Sequence, residues 1–591
     1  MNRKPETSTT VALAFMAALA LMPGCRQAEG VRAQAPVGAP ADAPVPVEPA
    51  GPPLPEVQAA VQEILDSGRH PALTWPDVTG VLADLTILYA AEPDGLFWFA
   101  GDAPHPALTG ALQAITAADT LGLVPTDYDA PVLVSRWEAT RAGAEATPSG
   151  RASFDVALTV SAMRLLQSAH WGRVDPRLIG FDYDVTTKRL DLAAALRAAR
   201  DKGGLPAAIA AVEPQFPVYR RLVEALADYR ARAAEGEPEP LPGLAAKQKK
   251  IEPGQPWAGI TALAGRLRAF GDLPKDASPP GASADGTPLY AGAVVDAVKR
   301  FQGRHTLEPD GVLGLGTLAA LNVPVAARVR QIELALERER WLPEMRREPH
   351  VFVNVSLFRL WAFDPDRPDE PLRMNVVVGK TLGHQTPIFV EHMEYVVFRP
   401  YWNPPPSIIR SEIVPKARRD PSYLDRQDME IVASGAEGAP ALPASPANLD
   451  QVLAGKLFVR QKPGEKNSLG LAKFIFPNSE SIYMHGTPAQ SLFARARRDF
   501  SHGCIRLENP TGLGEWVLRD QPEWTRERIE AAMKGERPTQ VNLKQKLTVF
   551  LFYDTAYVDS KGVAYFADDY YGHDAKLDKA LAKGYPYPRK S

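Results

Sequence analysis

Residues 482–507 read IYMHGTPAQSLFARARRDFSHGCIRL and contain Cys504, one of two cysteines in the 591-residue chain. A free thiol with a pKa of about 8.5 is mostly protonated at neutral pH and needs a base. His485, nineteen residues upstream, can take that proton. Gly503 lets the backbone approach a reacting carbonyl, and the N–H groups of Gly503 and Cys504 can hold an oxyanion. The pattern indicates a cysteine nucleophile. A buried structural cysteine is the alternative.

This motif resembles the signature of the L,D-transpeptidases, the YkuD-domain family of peptidoglycan cross-linking enzymes. His485 is followed by Gly-Thr-Pro, then by Ser501-His502-Gly503-Cys504, and Arg506 fills the last position of the signature. The resemblance implies that Cys504 attacks the carbonyl between the third residue of a tetrapeptide stem and its terminal D-Ala. His485 would act as the base, and a stem amine would resolve the thioester into a 3→3 cross-link.

The same resemblance assigns supporting roles around the nucleophile. A backbone carbonyl or side chain near Gly486 is expected to orient the imidazole, and Tyr483 is an alternative oxyanion donor. Arg506 could meet a substrate carboxylate through its planar fork, or form a structural salt bridge. The expected substrate-binding set is Arg506, Ser501, His502 and Trp402.

We expect no metal and no cofactor at this site. Two histidines and one cysteine without a carboxylate make a poor zinc set. His502 could be a second proton carrier, although the family uses the histidine that corresponds to His485. Family members are typically blocked by carbapenems, so covalent acylation of Cys504 is expected.

Several reactions share this site. Water in place of the amine would make the protein an L,D-carboxypeptidase, and a lysine acceptor would make it a lipoprotein-anchoring transferase. A non-catalytic cell-wall-binding protein is an alternative from another class. Intact His485, Gly503 and Cys504 favour catalysis. In each case the expected partners are the stem peptides and glycan of peptidoglycan, with roles in cell-wall organisation and cell shape.

The first residues predict export. Residues 1–25 combine Arg3 and Lys4 with an apolar run at 11–22, which is too short to cross a bilayer core of about 30 Å. Cys25 fits a lipoprotein signal imperfectly, so lipid attachment and ordinary cleavage both stay open. Residues 26–56 are rich in Ala and Pro and predict a disordered tether. The expected location is the periplasm, with possible membrane anchorage through a lipid at Cys25.

Composition indicates an ordinary multidomain globular protein. The chain is 45% hydrophobic and 23% charged with a net charge of −3, which gives no reason to expect nucleic acid. Its length allows two or three domains. The predicted fold class is multidomain α+β, with a helical scaffold, a three-helix module and a β-sandwich catalytic domain.

Helical spacing of apolar residues predicts a scaffold domain over residues 57–245. The stretch LYAAEPDGLFWF at 88–99 and GRVDP at 172–176 resemble the scaffold of the large, YcbB-like branch of the family. Trp98, Tyr128 and Trp171 are expected to be core aromatics.

Residues 257–324 resemble a three-helix peptidoglycan-binding module. Asp310-Gly311 predicts a tight turn, and Thr317 lies early in the last predicted helix. Gly314-x-Gly316-x-x-Ala319 matches a dinucleotide fingerprint only formally, because a turn rather than a strand precedes it. The module could bind glycan or serve as a structural appendage.

The remaining boundaries follow from charge and periodicity. Residues 325–345 predict a connecting helix whose charges face solvent. Residues 349–540 predict the β-rich catalytic domain, with an inserted cap at about 411–464. Residues 541–591 would add a strand and a helix that complete the scaffold or the catalytic domain.

Overall fold

The structure is a computed structural model and describes residues 54–587 except 145, 279–280, 344–347, 368–369 and 437. The expected signal segment, Cys25, and the tether up to residue 53 lie outside the described residues. The first helix begins at Pro55, inside the segment assigned to the tether. In the part of the chain that the structure describes, no helix is long and apolar enough to span a bilayer.

The N-terminal part is helical, as the spacing of its apolar residues predicts. Its central helix, Pro148–Trp171, is buried on nearly every side. Trp98 and Tyr128 are fully buried and Trp171 is half-buried, which confirms them as core aromatics. The α-helices are Pro55–Ser67, Leu82–Tyr89, Ala107–Thr116, Ala130–Arg141, Pro148–Trp171, Leu192–Asp201, Gly204–Val212 and Pro217–Ala234.

The small module has the expected three helices, Ile260–Ala269, Ala293–Arg304 and Leu315–Leu321. The predicted turn is present, with Gly311 at φ +76°, a conformation that favours glycine. Thr317 lies in the last helix and is buried. The helix begins at Leu315, directly after a two-residue strand, Leu313–Gly314, that pairs with Lys250–Ile251. A short strand, where a turn was expected, therefore precedes the formal fingerprint.

The bridging helix, Val325–Glu339, overturns one expectation. Its charges were expected to face solvent, but Glu337, Arg338, Glu339 and Arg340 are at most 3% exposed. Arg173 of the scaffold donates to Glu337 at 3.0 Å, and Arg338 pairs with Asp574 at 2.6 Å. The helix therefore lies between the scaffold and the C-terminal segment, and Glu337 and Arg338 find partners of opposite charge on these two sides.

The catalytic part is built on one ten-stranded sheet. The strands are β1 Phe181–Asp182, β2 His350–Asn354, β3 Arg359–Phe363, β4 Leu372–Gly379, β5 Ile388–Phe398, β6 Ala472–Ile475, β7 Met484–His485, β8 Asp499–Ser501, β9 Ile505–Leu507 and β10 Thr539–Phe552. In the order β6-β7-β9-β4-β3-β2-β10-β5, each strand pairs with the next, and β5 also pairs with β6. The two layers of the expected sandwich are thus parts of one closed sheet around a shared core.

Two strands cross the expected domain boundaries. β10 begins before residue 541 and pairs with β2 and β5, so a catalytic boundary at residue 540 falls inside a strand. β1 comes from the scaffold region, yet it pairs with β5. Phe181 and Tyr183 lie in the core of the catalytic sheet. The scaffold therefore supplies one strand of that sheet.

The C-terminal segment packs against the helical scaffold region and against the bridging helix. A hairpin, Ala556–Val558 with Ala564–Phe566, packs on helix Pro217–Ala234 and on the bridging helix. The last described helix is His573–Leu581. Helices Pro510–Val517 and Arg526–Lys534 contact strands of the catalytic sheet.

The inserted cap has its own small core. Ile413, Val414, Ile431 and Val459 belong to one buried cluster that is separate from the core of the sheet. The cap strands Met429–Val432, Ala441–Leu442 and Phe458–Gln461 form a three-stranded sheet. The cap helices are Pro406–Ile408, Val414–Arg419, Tyr423–Arg426 and Pro446–Leu453, with a π-helical turn at Ile409–Ile413.

Candidate active site

The candidate site lies on the outer face of three neighbouring strands. Lys473 of β6 is opposite His485 of β7, and His485 is opposite Arg506 of β9. Side chains alternate between the two faces of a strand, so Tyr483 and Cys504, each two residues earlier, lie on that same face. The intervening residues, Phe474, Met484 and Ile505, are fully buried. Strand pairing thus brings together residues from three sequence segments.

The turn before Cys504 is held by two buried hydroxyls. The Thr386 hydroxyl donates to the Gly503 carbonyl at 2.7 Å. The Ser501 hydroxyl donates to the Cys504 carbonyl at 2.6 Å and accepts from the Gly503 N–H at 3.1 Å. Gly379 lies under the loop that carries Thr386, and a Cβ there would come within 1.9 Å of a backbone oxygen. These hydrogen bonds therefore fix the turn that carries Cys504.

His485 is a buried imidazole with a defined orientation. Its Nδ1 lies 2.5 Å from the Gly486 carbonyl, so Nδ1 carries the proton and Nε2 is free to accept one. Burial, together with the charge of Arg506, lowers the pKa of His485 to about 3. The ring is therefore neutral at physiological pH, as a general base must be.

Cys504 is half-buried, and its resting form is the thiol. Burial raises the pKa of Cys504, although Tyr483, Lys473 and Arg506 oppose that rise. The sulfur lies 4.0 Å from the Ser481 carbonyl, which accepts the thiol proton. The backbone N–H and the hydroxyl of Tyr483 also reach the sulfur. The two groups are therefore a neutral thiol and a neutral imidazole at physiological pH.

Two of the expected roles do not fit this geometry. The Gly503 N–H donates to Ser501, so it is not available as an oxyanion donor. Ser501 is 2% exposed and its hydroxyl makes two backbone contacts, so it supports the turn and cannot contact substrate. The backbone N–H and the hydroxyl of Tyr483 both reach the sulfur, so Tyr483 replaces Gly503 as a candidate oxyanion donor. The Cys504 N–H remains a candidate.

Arg506 forms no ion pair with any described carboxylate, so the structural salt bridge considered for it is absent from the described residues. Lys473 likewise has no carboxylate partner among them, and its Nζ lies 4.0 Å from the centre of the Tyr483 ring. Burial lowers the pKa of both groups. Two unneutralised cations beside a nucleophile favour an anionic substrate group.

His502 and Trp402 connect the site to the cap. The His502 Nε2 lies 2.9 Å from a Glu412 carboxylate oxygen, so His502 faces the cap. Trp402 forms backbone hydrogen bonds with Gln461 and packs on the core of the cap. Its indole lies close enough to the Tyr483 hydroxyl to oppose the rise in the pKa of that phenol that burial causes. Trp402 thus connects the cap with the surroundings of Cys504.

Comparison with known proteins identifies this part of the chain. Residues 348–529, which contain every strand of the site, match the family model of the L,D-transpeptidase catalytic domain, YkuD. These residues are an L,D-transpeptidase catalytic domain. Residues 83–226 match a scaffold domain and residues 258–321 a putative peptidoglycan binding domain. The resemblance noted from the motif is therefore confirmed.

One curated protein and one solved structure are similar to parts of this chain. A putative L,D-transpeptidase of Haemophilus influenzae is 29% identical over 254 residues, which are 42% of this chain and 49% of that protein. The match thus spans about half the length of that relative. The crystal structure of an L,D-transpeptidase from Xylanimonas cellulosilytica matches with 15% identity and a TM-score of 0.16, covering 52% of this chain and all of that one.

The sequence analysis did not identify Lys473 of the transpeptidase domain as a residue of the site. The only signal was its place between Ala472 and Phe474, which are buried in the core, and the sequence does not show that this strand pairs with His485. Its cation lies near Cys504 and stabilises the thiolate.

We therefore expect Lys473→Met to raise the pKa of Cys504, because the variant removes a positive charge. Alkylation by iodoacetamide, which consumes thiolate, should then require a higher pH than in the wild type. Lys473→Arg should stay close to the wild type, and the exposed Lys456→Met serves as control. Coincident pH profiles for Lys473→Met and the wild type would refute this role.

Proposed function

We propose that the chain is a peptidoglycan L,D-transpeptidase with Cys504 as nucleophile and His485 as base. The observation that carries the proposal is the common outer face of β6, β7 and β9, which holds a thiol, a neutral imidazole and two cations. A buried structural cysteine would not need an oriented base or unneutralised charges beside it. The family of the domain supports the same reaction class.

The proposed reaction has two halves. The Cys504 sulfur attacks the carbonyl of the third stem residue while its proton passes to His485 Nε2. The C–N bond to D-Ala then breaks, and His485 returns the proton to the leaving amine. In the second half, the side-chain amine of a neighbouring stem attacks the thioester and gives its proton to His485. The C–S bond breaks, the thiol is restored, and a 3→3 cross-link forms.

The oxyanion of each tetrahedral intermediate needs donors close to the sulfur. The Tyr483 hydroxyl and the Cys504 N–H are the proposed donors, since Gly503 is already bonded to Ser501. The indole of Trp402 lies beside the Tyr483 hydroxyl, so this aromatic side chain forms part of the wall next to the proposed donor. Preorganised donors of this kind contribute about 10²- to 10³-fold to the rate.

Lys473 and Arg506 would bind a substrate carboxylate next to the scissile bond. The terminal D-Ala carries such a carboxylate one residue beyond the reacting carbonyl. A buried cation without a carboxylate partner binds an anion strongly, because the low dielectric constant of a buried site strengthens the attraction between charges. We therefore propose that these two side chains select stems with a free carboxyl end. Peptidoglycan lies outside the cytoplasm, so the proposed place of action is the periplasm.

The test is mass spectrometry of the products after the protein is incubated with disaccharide-tetrapeptide. Transpeptidation predicts loss of D-Ala together with a dimeric 3→3 product, and both should be absent with Cys504→Ala. D-Ala without dimer would mean hydrolysis, and capture by a lysine-bearing acceptor would mean protein anchoring. No turnover, with sacculus binding retained, would favour a non-catalytic wall-binding protein.

A further inference from the structure

A second cleft lies away from the thiol, where three parts of the chain meet. Its volume is about 310 Å³, within the range of ligand sites. The module contributes residues around Gly303 and Leu307, and β3 and β4 contribute Arg359 and Arg373. The C-terminal hairpin contributes Tyr565. Through Gly303, Arg359 and Tyr565 the cleft continues into a neighbouring cavity of about 690 Å³.

The cleft has an excess of available positive charge. Arg359, Arg373 and Arg495 are exposed and form no ion pair with any carboxylate in the described ranges. The two carboxylates that line the cleft are already engaged. Glu308 accepts from the Ala496 N–H at 2.6 Å, and Asp559 accepts from the backbone of its own turn.

A fourth arginine forms part of the wall. Arg498 is 6% exposed, and its guanidinium donates to backbone carbonyls and to the Asn375 amide oxygen. Because no carboxylate pairs with it in the described part of the chain, its charge adds to the positive potential of the cleft. A planar guanidinium binds carboxylates through two parallel hydrogen bonds. The guanidinium groups of Arg359, Arg373 and Arg495 have no carboxylate partner in the described ranges and can bind in this way.

We propose that this cleft binds the carboxylate-bearing peptide stem of peptidoglycan. The inference rests on the proposed function for its substrate class. One wall belongs to the putative peptidoglycan binding domain and another to the transpeptidase domain. Stem peptides carry free carboxylates, which the unpaired arginines would recognise. Wall binding is thus a joint property of both domains and not of the module alone.

The position of the cleft relative to Cys504 suits an extended peptide. Cys504 comes just before β9, Arg506 lies within it, and Glu508 follows it directly, so the alternation of side chains along the extended chain places all three on one face. The Glu508 N–H donates to the carbonyl of Asn375, a residue that lines the cleft. Four residues of strand separate Cys504 from Glu508, about 13 Å at 3.3 Å per residue. An extended stem of four residues spans a similar length.

The test measures equilibrium binding of disaccharide-tripeptide to the full chain carrying Cys504→Ala. This probe lacks the D-Ala that the thiol site is proposed to release. We expect the charge reversals Arg359→Glu and Arg373→Glu together to weaken binding about tenfold or more. Arg537→Glu, an exposed arginine of the catalytic domain outside the cleft, should bind like the parent. A tripeptide with amidated carboxylates should bind the parent protein as weakly as the unmodified probe binds the double variant.

Three results would overturn the proposal. The double variant could bind as tightly as its parent, or Arg537→Glu could lose as much affinity. Inorganic phosphate could displace the probe at equal concentration, which would indicate a general anion site. Thermal unfolding of each variant shows that the fold is intact. D-Ala release by the wild-type chain tests the proposed function separately, so a cleft without stem affinity and a protein without turnover are distinct outcomes.

Discussion

Replacing His485 by glutamine is expected to lower the rate of Cys504 acylation about 10²- to 10⁴-fold, the usual contribution of a general base. Glutamine can still hydrogen-bond the Gly486 carbonyl, but it cannot accept the thiol proton. Because burial raises the pKa of Cys504 and outweighs the opposing effect of Tyr483, the resting sulfur is a thiol, and little thiolate forms without the base. The measurement is a time course of the covalent adduct with a carbapenem, followed by mass spectrometry of the intact protein.

His392→Gln is the matched control, since His392 is an exposed histidine on β5 and should leave the rate unchanged. An adduct that forms at the wild-type rate in His485→Gln would rule out the base role. The pH dependence gives a further check. With a pKa of about 3, His485 stays neutral from pH 8 down to pH 5. Its protonation should therefore produce no loss of acylation in that range.

Glu337→Gln is expected to destabilise the protein by about 3–5 kcal/mol, because it leaves buried arginines without a counterion. Glu337 accepts from Arg173 and lies 3.7 Å from Arg340, and all three side chains are almost fully buried. Burial alone would raise the pKa of Glu337, but Arg173 and Arg340 outweigh it and hold that pKa below its usual value. The measurement is the midpoint of urea unfolding.

Glu333→Gln in the same helix is the matched control. Its side chain is 17% exposed and pairs with Arg230 and Arg330, which are themselves partly exposed. Ion pairs of that kind contribute about 0–1 kcal/mol, so the midpoint should move little. Equal midpoints for the two variants would show that the buried pair adds no more than the exposed one.

The motif predicts Cys504 as nucleophile and His485 as base, because both lie within one stretch of sequence with fixed spacing; the acylation experiment above tests both roles. Lys473 could not be found that way. Its place in the site depends on the pairing of β6 with β7, and the sequence does not specify which strands pair. The sequence predicts the Gly503 N–H as an oxyanion donor, but in the structure this N–H donates to the Ser501 hydroxyl. A local hydrogen bond of this kind cannot be predicted from the motif.

The burial of the charged side chains on the bridging helix could not be predicted from the sequence either. Its alternating charges have the pattern of a solvent-exposed helix, and nothing local reveals that they are buried. Their partners come from distant segments, Arg173 on one side and Asp574 on the other. Periodicity predicts that a helix forms, but the environment of each face depends on what the rest of the chain packs against it.

Strand β1 comes from the scaffold region but pairs in the catalytic sheet, and this has a consequence for how the chain folds during its synthesis. β1 pairs with β5, and the Tyr183 hydroxyl donates to the Leu551 carbonyl, 368 residues later in the chain. The early part of the protein therefore emerges from the ribosome with apolar side chains whose partners do not yet exist. Contacts this distant in sequence slow folding, and an unpaired strand is prone to aggregation. We therefore expect the apolar side chains around β1 to reach their native packing only after nearly all of the chain has been made.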